Sequence, residues 1–184
     1  MKAPLETWMC SRCGERHLDI PSYRFKAPWP WYITPESERS TSVLTGDHCI
    51  LRDEDYFVRG CIELPVAGQT DPFIWGVWVS LSRDNFSREQ SLRNDPTRMK
   101  EAPYFGWLSS RIQVYPDTLL LKTRVHSRKV GMAPFIELEP TDHPLAVEQR
   151  RGISVNRVRE IRELMLHRWL HPESDSKGFY GTPH

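Results

Sequence analysis

The 184-residue chain contains no apolar run long enough to cross a membrane. It also lacks an early stretch of signal-peptide type, because Met1 to Trp8 is interrupted by charge and leads at once to Cys10. A soluble cytoplasmic protein with no membrane partner is therefore expected. Net charge is nearly absent too: the formal value of +1 gives no global case for binding nucleic acid or lipid. Cysteine is scarce, with only Cys10, Cys13, Cys49 and Cys61. Without an export signal these four predict reduced thiols or metal ligands, not a disulfide framework. The Asn85-Phe86-Ser87 triplet then has no glycosylation consequence. No familiar catalytic motif is present.

What the chain does have is seven tryptophans, fifteen prolines and nearly balanced charges, material for a core with frequent turns. Its length suits one compact domain, expected over residues 1–172, with a loose polar tail over 173–184. Two hairpins are predicted between Asp53 and His126. The first joins Tyr56–Leu64 to Phe73–Leu81 and the second joins Gly106–Val114 to Thr118–Val125, the latter through Tyr115-Pro116-Asp117. Residues 73, 75, 77, 79 and 81 form one apolar face. The opposite face carries Ile74, Gly76, Trp78 and Ser80, a mixture that fits either a second packing layer or a partly open cleft.

The sharpest local motif is Cys10-Ser11-Arg12-Cys13-Gly14. Two thiolates three residues apart can turn toward one ion, and Gly14 accepts the backbone conformation needed after the second. Zinc held by Cys10, Cys13, His17 and Cys49 is the expected set, within an amino-terminal module spanning residues 8–50. The competing readings are an ordinary turn with two reduced cysteines or, less in keeping with its context, a redox pair. Leu18 to Tyr32, rich in aromatics and proline, predicts an irregular cover over the sheet.

Ser82 to Leu92 reads as a short helix, and Arg93 to Met99 as a loop. Ala133 to Glu139 predicts an edge strand, since Pro134 fits an edge or a strand start. Asp142 and Pro144 open a helix that Gly152 ends. A terminal helix starts near Ser154 with the stripe Val158, Ile161, Met165 and Trp169, which places Arg162 and His167 on solvated faces. The predicted class is α+β: a mainly antiparallel sheet, a C-terminal amphipathic helix and an irregular N-terminal cover.

Several blocks together resemble the family named domain of unknown function 2199, found largely in bacterial proteins. They are Cys10 to Cys13 with Gly14 and His17, Asp55 to Gly60, Trp75 to Ser80, Tyr104 to Ser109, Tyr115 to Thr118 and Asp142 to Leu145. The resemblance covers Trp8 to His167 and implies a shared compact domain. It brings no activity or ligand set with it.

The functional expectation is a non-enzymatic, protein-recognising module stabilised by zinc, with Arg59, Trp78 and Trp107 as recognition residues. One alternative is a hydrolytic enzyme for small ligands using Asp47-His48, Asp142-His143 and Arg59. Another is a nucleic-acid-binding domain built on the basic run Lys122 to Lys129. The second alternative is disfavoured by Asp53-Glu54-Asp55 and the nearly neutral total.

Overall fold

A computed structural model describes residues 7–18, 22–170 and 182–183. Strands β1 (Thr7–Met9) and β2 (Arg16–Leu18) form an antiparallel sheet of their own. The main sheet contains β3 (Ser22–Arg24), β4 (Val43–Leu44), β5 (His48–Leu51), β6 (Asp55–Leu64), β7 (Phe73–Leu81), β8 (Tyr104–Leu108), β9 (Lys122–His126), β10 (Phe135–Leu138) and β11 (Thr182–Pro183). The α-helices are α1 (Trp29–Ile33), α2 (Arg83–Ser91), α3 (Pro144–Arg151) and α4 (Val155–Leu170). The fold is α+β with mostly antiparallel pairing, as the alternating apolar patterns require.

The first predicted hairpin forms with its full register, from Tyr56 opposite Leu81 to Leu64 opposite Phe73. Its inner face buries Val58, Ile62 and Leu64 against Phe73, Trp75, Val77 and Val79. These strands exceed the length of any one neighbour, so each takes two partners along its other edge. β6 pairs with β5 at its start and with β10 at Cys61, while β7 pairs with β3 at its start and with β8 near its end. The succession β6–β7–β8–β9–β10 therefore returns to β6 and closes a ring of five strands. Closure brings the chain very near Gly60, where an added Cβ would lie 2.5 Å from Ile136 Cδ1 and 2.8 Å from the Pro134 carbonyl oxygen. Gly106 plays the same part between β8 and β7: a Cβ there would lie 2.5 Å from the Ser80 carbonyl oxygen.

The second hairpin differs from expectation. β8 and β9 do pair, Tyr104 with Val125 through Trp107 with Lys122, but the strands are short and residues 109–121 connect them. Thr118 explains the longer connection. Its buried hydroxyl accepts from the Ile112 amide at 2.9 Å and donates to the Ser110 carbonyl at 2.8 Å, so the segment satisfies its polar groups internally instead of through a ladder. β10 is likewise no edge strand: it pairs antiparallel with β9 and parallel with β6.

Side chains cap the starts of α2 and α3. Ser82 accepts from the Asn85 amide at α2 as predicted, whereas the cap of α3 is His143, whose Nδ1 accepts from the Leu145 amide, and not Asp142. In α4, Val158, Ile161 and Met165 are buried as the stripe requires. Arg162, expected in solvent, is also buried, and His167 is half-buried. The side chain of Trp169 lies outside the described residues, as does most of the predicted tail; Thr182 and Pro183 pair with β3. The cover is more regular than predicted, since Ser22–Arg24 joins the sheet and Trp29–Ile33 is a short helix. Among the described residues no helix is long and apolar enough to cross a membrane.

Candidate metal centre and recognition surfaces

The cysteine pair sits in the connection between β1 and β2. The chain turns back on itself there, the Cys10 amide donating to the Glu15 carbonyl at 2.9 Å and the Gly14 amide to the Cys10 carbonyl at 3.0 Å. Gly14 takes a φ of 71°, the left-handed conformation that glycine adopts without strain. The Arg12 amide points at Cys10 Sγ from 3.4 Å.

Two donor groups meet at Cys13. In one, Cys10, Cys13 and His167 bring their ligand atoms within 4.8 Å of one another; in the other, Cys13, Glu15 and His17 do the same. Cys10 Sγ stands 3.1 Å from His167 Nε2, and Cys13 Sγ stands 3.1 Å from His17 Nε2. Such separations approach the roughly 3.5 Å between sulfur and nitrogen on a tetrahedral zinc ion with ordinary bond lengths. One turn before His167 on α4, Glu163 accepts from the Ser11 amide at 2.8 Å and from the Ser11 hydroxyl, which ties the turn to the helix. That backbone hydrogen bond is the chief reason the Glu163 carboxyl is held below its ordinary pKa.

Cys49 stands elsewhere. It lies on β5 opposite Phe57, fully buried in the main core, and belongs to neither donor group among the described residues. Burial pushes its thiol up to about 12. No sequence signal marked His167 as a partner for Cys10: it is 157 residues away on a helix whose apolar stripe does not include it.

The three recognition candidates do not converge. Trp78 is fully buried. Its indole N–H donates to the Phe25 carbonyl at 2.9 Å, its amide to Ser110 Oγ at 2.9 Å, and its own carbonyl accepts from the Ser109 amide. Trp78 is therefore a core residue and leaves the set of recognition candidates: the segment around Phe25 covers the face that alternation alone leaves open. Arg59, directly across the ladder from Trp78, pairs with Asp47 at 3.2 Å at the rim of a separate cleft. Trp107 does reach solvent. Its neighbour Phe105, absent from the sequence-based set, is exposed beside it, with ring centroids 5.1 Å apart and planes at 83°.

The two Asp-His pairs also serve structure. His143 caps α3, and Asp47 is the shared acceptor of Arg59 and Arg93. His48 lies between Thr45 and Arg93, and burial first, then the Arg93 charge, hold its pKa below 6.5.

The profile of domain of unknown function 2199, described as an uncharacterised protein conserved in bacteria, matches residues 9–153. The chain belongs to that family. No curated protein and no solved structure matches it.

Proposed function

We propose that this chain is a non-enzymatic, protein-recognising module whose amino-terminal turn is fixed to its terminal helix by zinc. The recognition reading rests on the Phe105–Trp107 pair, two exposed rings in edge-to-face contact on a strand of the closed ring. Large aromatic side chains on a rigid strand supply apolar contact area with little ordering cost on binding. Across the ladder, Phe105 faces Arg124 and Trp107 faces Lys122; Arg124 in turn faces Glu137, and Lys122 lies 3.9 Å from Glu139. Two transverse rows thus run aromatic, basic, acidic. A surface with both signs beside an apolar centre suits a protein segment carrying a buried apolar anchor flanked by charges of both signs. A nucleic-acid strand would set its phosphates against Glu137 and Glu139, so the arrangement disfavours that alternative.

Zinc on Cys10, Cys13 and His167, with His17 as the fourth donor, is the accompanying proposal, and it replaces Cys49 with a histidine of α4. Two thiolates and two imidazoles form a common closed structural set. The hydrolytic alternative draws less support. Asp47 is committed to two guanidiniums, and the nearby Cys61 thiol is pushed up by burial, which leaves no activated nucleophile beside it.

The test starts from partners cross-linked to the intact protein in its native extract and compares a Phe105→Ala, Trp107→Ala variant with unchanged circular dichroism. A purified partner should perturb the amide NMR signals of β8 and β9, and the variant should bind it at least about tenfold more weakly. Equal affinity for the variant, or perturbations confined to other strands, would overturn the reading.

A further inference from the structure

A cleft of about 440 Å³ is lined by Arg24, Arg59, Arg93 and Arg98 with only Asp47 and Glu89 as carboxylates. The charges do not cancel. Arg98 and Glu89 are both buried and pair at 3.1 Å, while Arg59 and Arg93 share the single carboxylate of Asp47. Arg24 makes no ion pair among the described residues, so two positive charges are left facing the cavity. The Nε of buried Arg98 has no hydrogen-bond partner among the described residues, although its two terminal nitrogens reach Arg93 and Glu89.

The opening is built into the strands. Gly76 lies opposite Cys61 on the face shared with Arg59, and the Arg24 side chain crosses directly over it, with Cγ 2.8 Å from where a Cβ would stand. A side chain at position 76 would displace Arg24 and fill the floor. On the other wall the chain from Val130 to Pro134 turns through Gly131, at a φ of 85°, and presents Val130 and Met132, which are exposed.

We propose that this cleft binds a small organic phosphate monoester. Its dianionic head would sit among Arg24, Arg59 and Arg93, and its organic part would lie against Val130, Met132 and Pro134. Guanidinium groups present N–H donors that match phosphate oxygens, and Asp47 holds Arg59 and Arg93 together by accepting from one terminal nitrogen of each. A compact doubly charged head matches the two uncompensated cations of this lining better than two separated carboxylates do. The volume falls in the range of small-molecule sites. The site is independent of the proposed aromatic surface on β8.

Calorimetric titration with phenyl phosphate, and separately with glutarate, tests this on the full chain. Phenyl phosphate should bind more tightly than glutarate and more weakly as salt is raised. Arg24→Met, with unchanged circular dichroism, should weaken it by about tenfold or more. A second variant, Gly76→Val, should abolish binding by filling the floor, and NMR shift changes on adding phenyl phosphate should centre on Arg59, Cys61 and Gly76. Absence of phenyl phosphate binding at about 10 mM, tighter binding of glutarate, or full affinity in Arg24→Met would each overturn the proposal.

Discussion

Cys10 Sγ and His167 Nε2 stand 3.1 Å apart although 157 positions separate them in the chain. Nothing in the β1–β2 hairpin creates this relationship; it needs the whole main sheet in place so that α4 ends beside the turn. With zinc, freshly purified reduced protein should carry one ion per chain, and chelation should lower its melting temperature. His167→Ala should weaken zinc at least as much as His17→Ala does, and Cys49→Ser should leave zinc affinity unchanged. Glu163→Gln, which loosens the Ser11 clamp, should cost about tenfold in affinity. Metal analysis that finds no zinc, or a Cys49→Ser protein that loses it, contradicts this set.

The two neighbouring tryptophans should respond in opposite ways. Trp78→Ala removes a fully buried ring and its indole hydrogen bond to the Phe25 carbonyl, and should cost about 3–5 kcal/mol in denaturant unfolding. Trp107→Ala touches an exposed ring and should change stability by less than about 1 kcal/mol. Similar losses for both would place Trp107 in the core and remove it from recognition.

Ring closure at Gly60 can be measured directly. Gly60→Ala drives a methyl group into Ile136 and the Pro134 carbonyl and should destabilise by about 1–3 kcal/mol. Combining it with Ile136→Val removes the Cδ1 contact but leaves those with Cγ1 and the Pro134 carbonyl, so the double variant should recover only part of the loss. Independent, additive effects would mean that β10 does not cross β6 there.

His48 makes stability depend on pH in a defined direction. Its folded pKa is lowered by burial and by Arg93, so the unfolded chain binds more protons in the window just below 6.5. The contribution is complete above 6.5 and is lost as pH falls toward the folded value. An NMR titration of the imidazole should give a midpoint below 6.5, and Arg93→Met should raise it, because the Asp47 and Glu89 charges then act with less opposition. A midpoint above 6.5, or one that falls in Arg93→Met, contradicts the arrangement.

The parts legible in the sequence are those with local causes. The first hairpin follows from strict alternation on both strands, the α2 cap from Ser82, and the buried face of α4 from three- and four-residue spacing. Trp78 shows where alternation stops being informative. It correctly assigns the residue to the face opposite Trp75, but whether that face meets solvent depends on Phe25, fifty-three positions earlier. Both alternatives offered by the mixed face exist at different points along it: a second packing layer at Trp78 and an open cleft at Gly76. The Tyr115-Pro116-Asp117 turn chemistry predicts a direct strand-to-strand link, yet pairing is set by the close approach at Gly106 and by the internal hydrogen bonds of Thr118. For His167 the sequence offered no periodic or spacing signal at all, and only the tertiary fold supplies it.

The closed ring also limits where a second copy of this chain could add a strand. A row of unpaired amides and carbonyls along a sheet margin is a template on which a second chain can add. Here the long strands β6 and β7 have their margins occupied by different neighbours in succession, and the strands that end the main sheet, β4 and β11, are each two residues long. β11 ends in Pro183, which has no amide hydrogen to offer. Among the described residues the main sheet thus exposes little ladder for intermolecular strand addition, which keeps the hydrophobic β-branched and aromatic content of β6 and β7 away from an open edge.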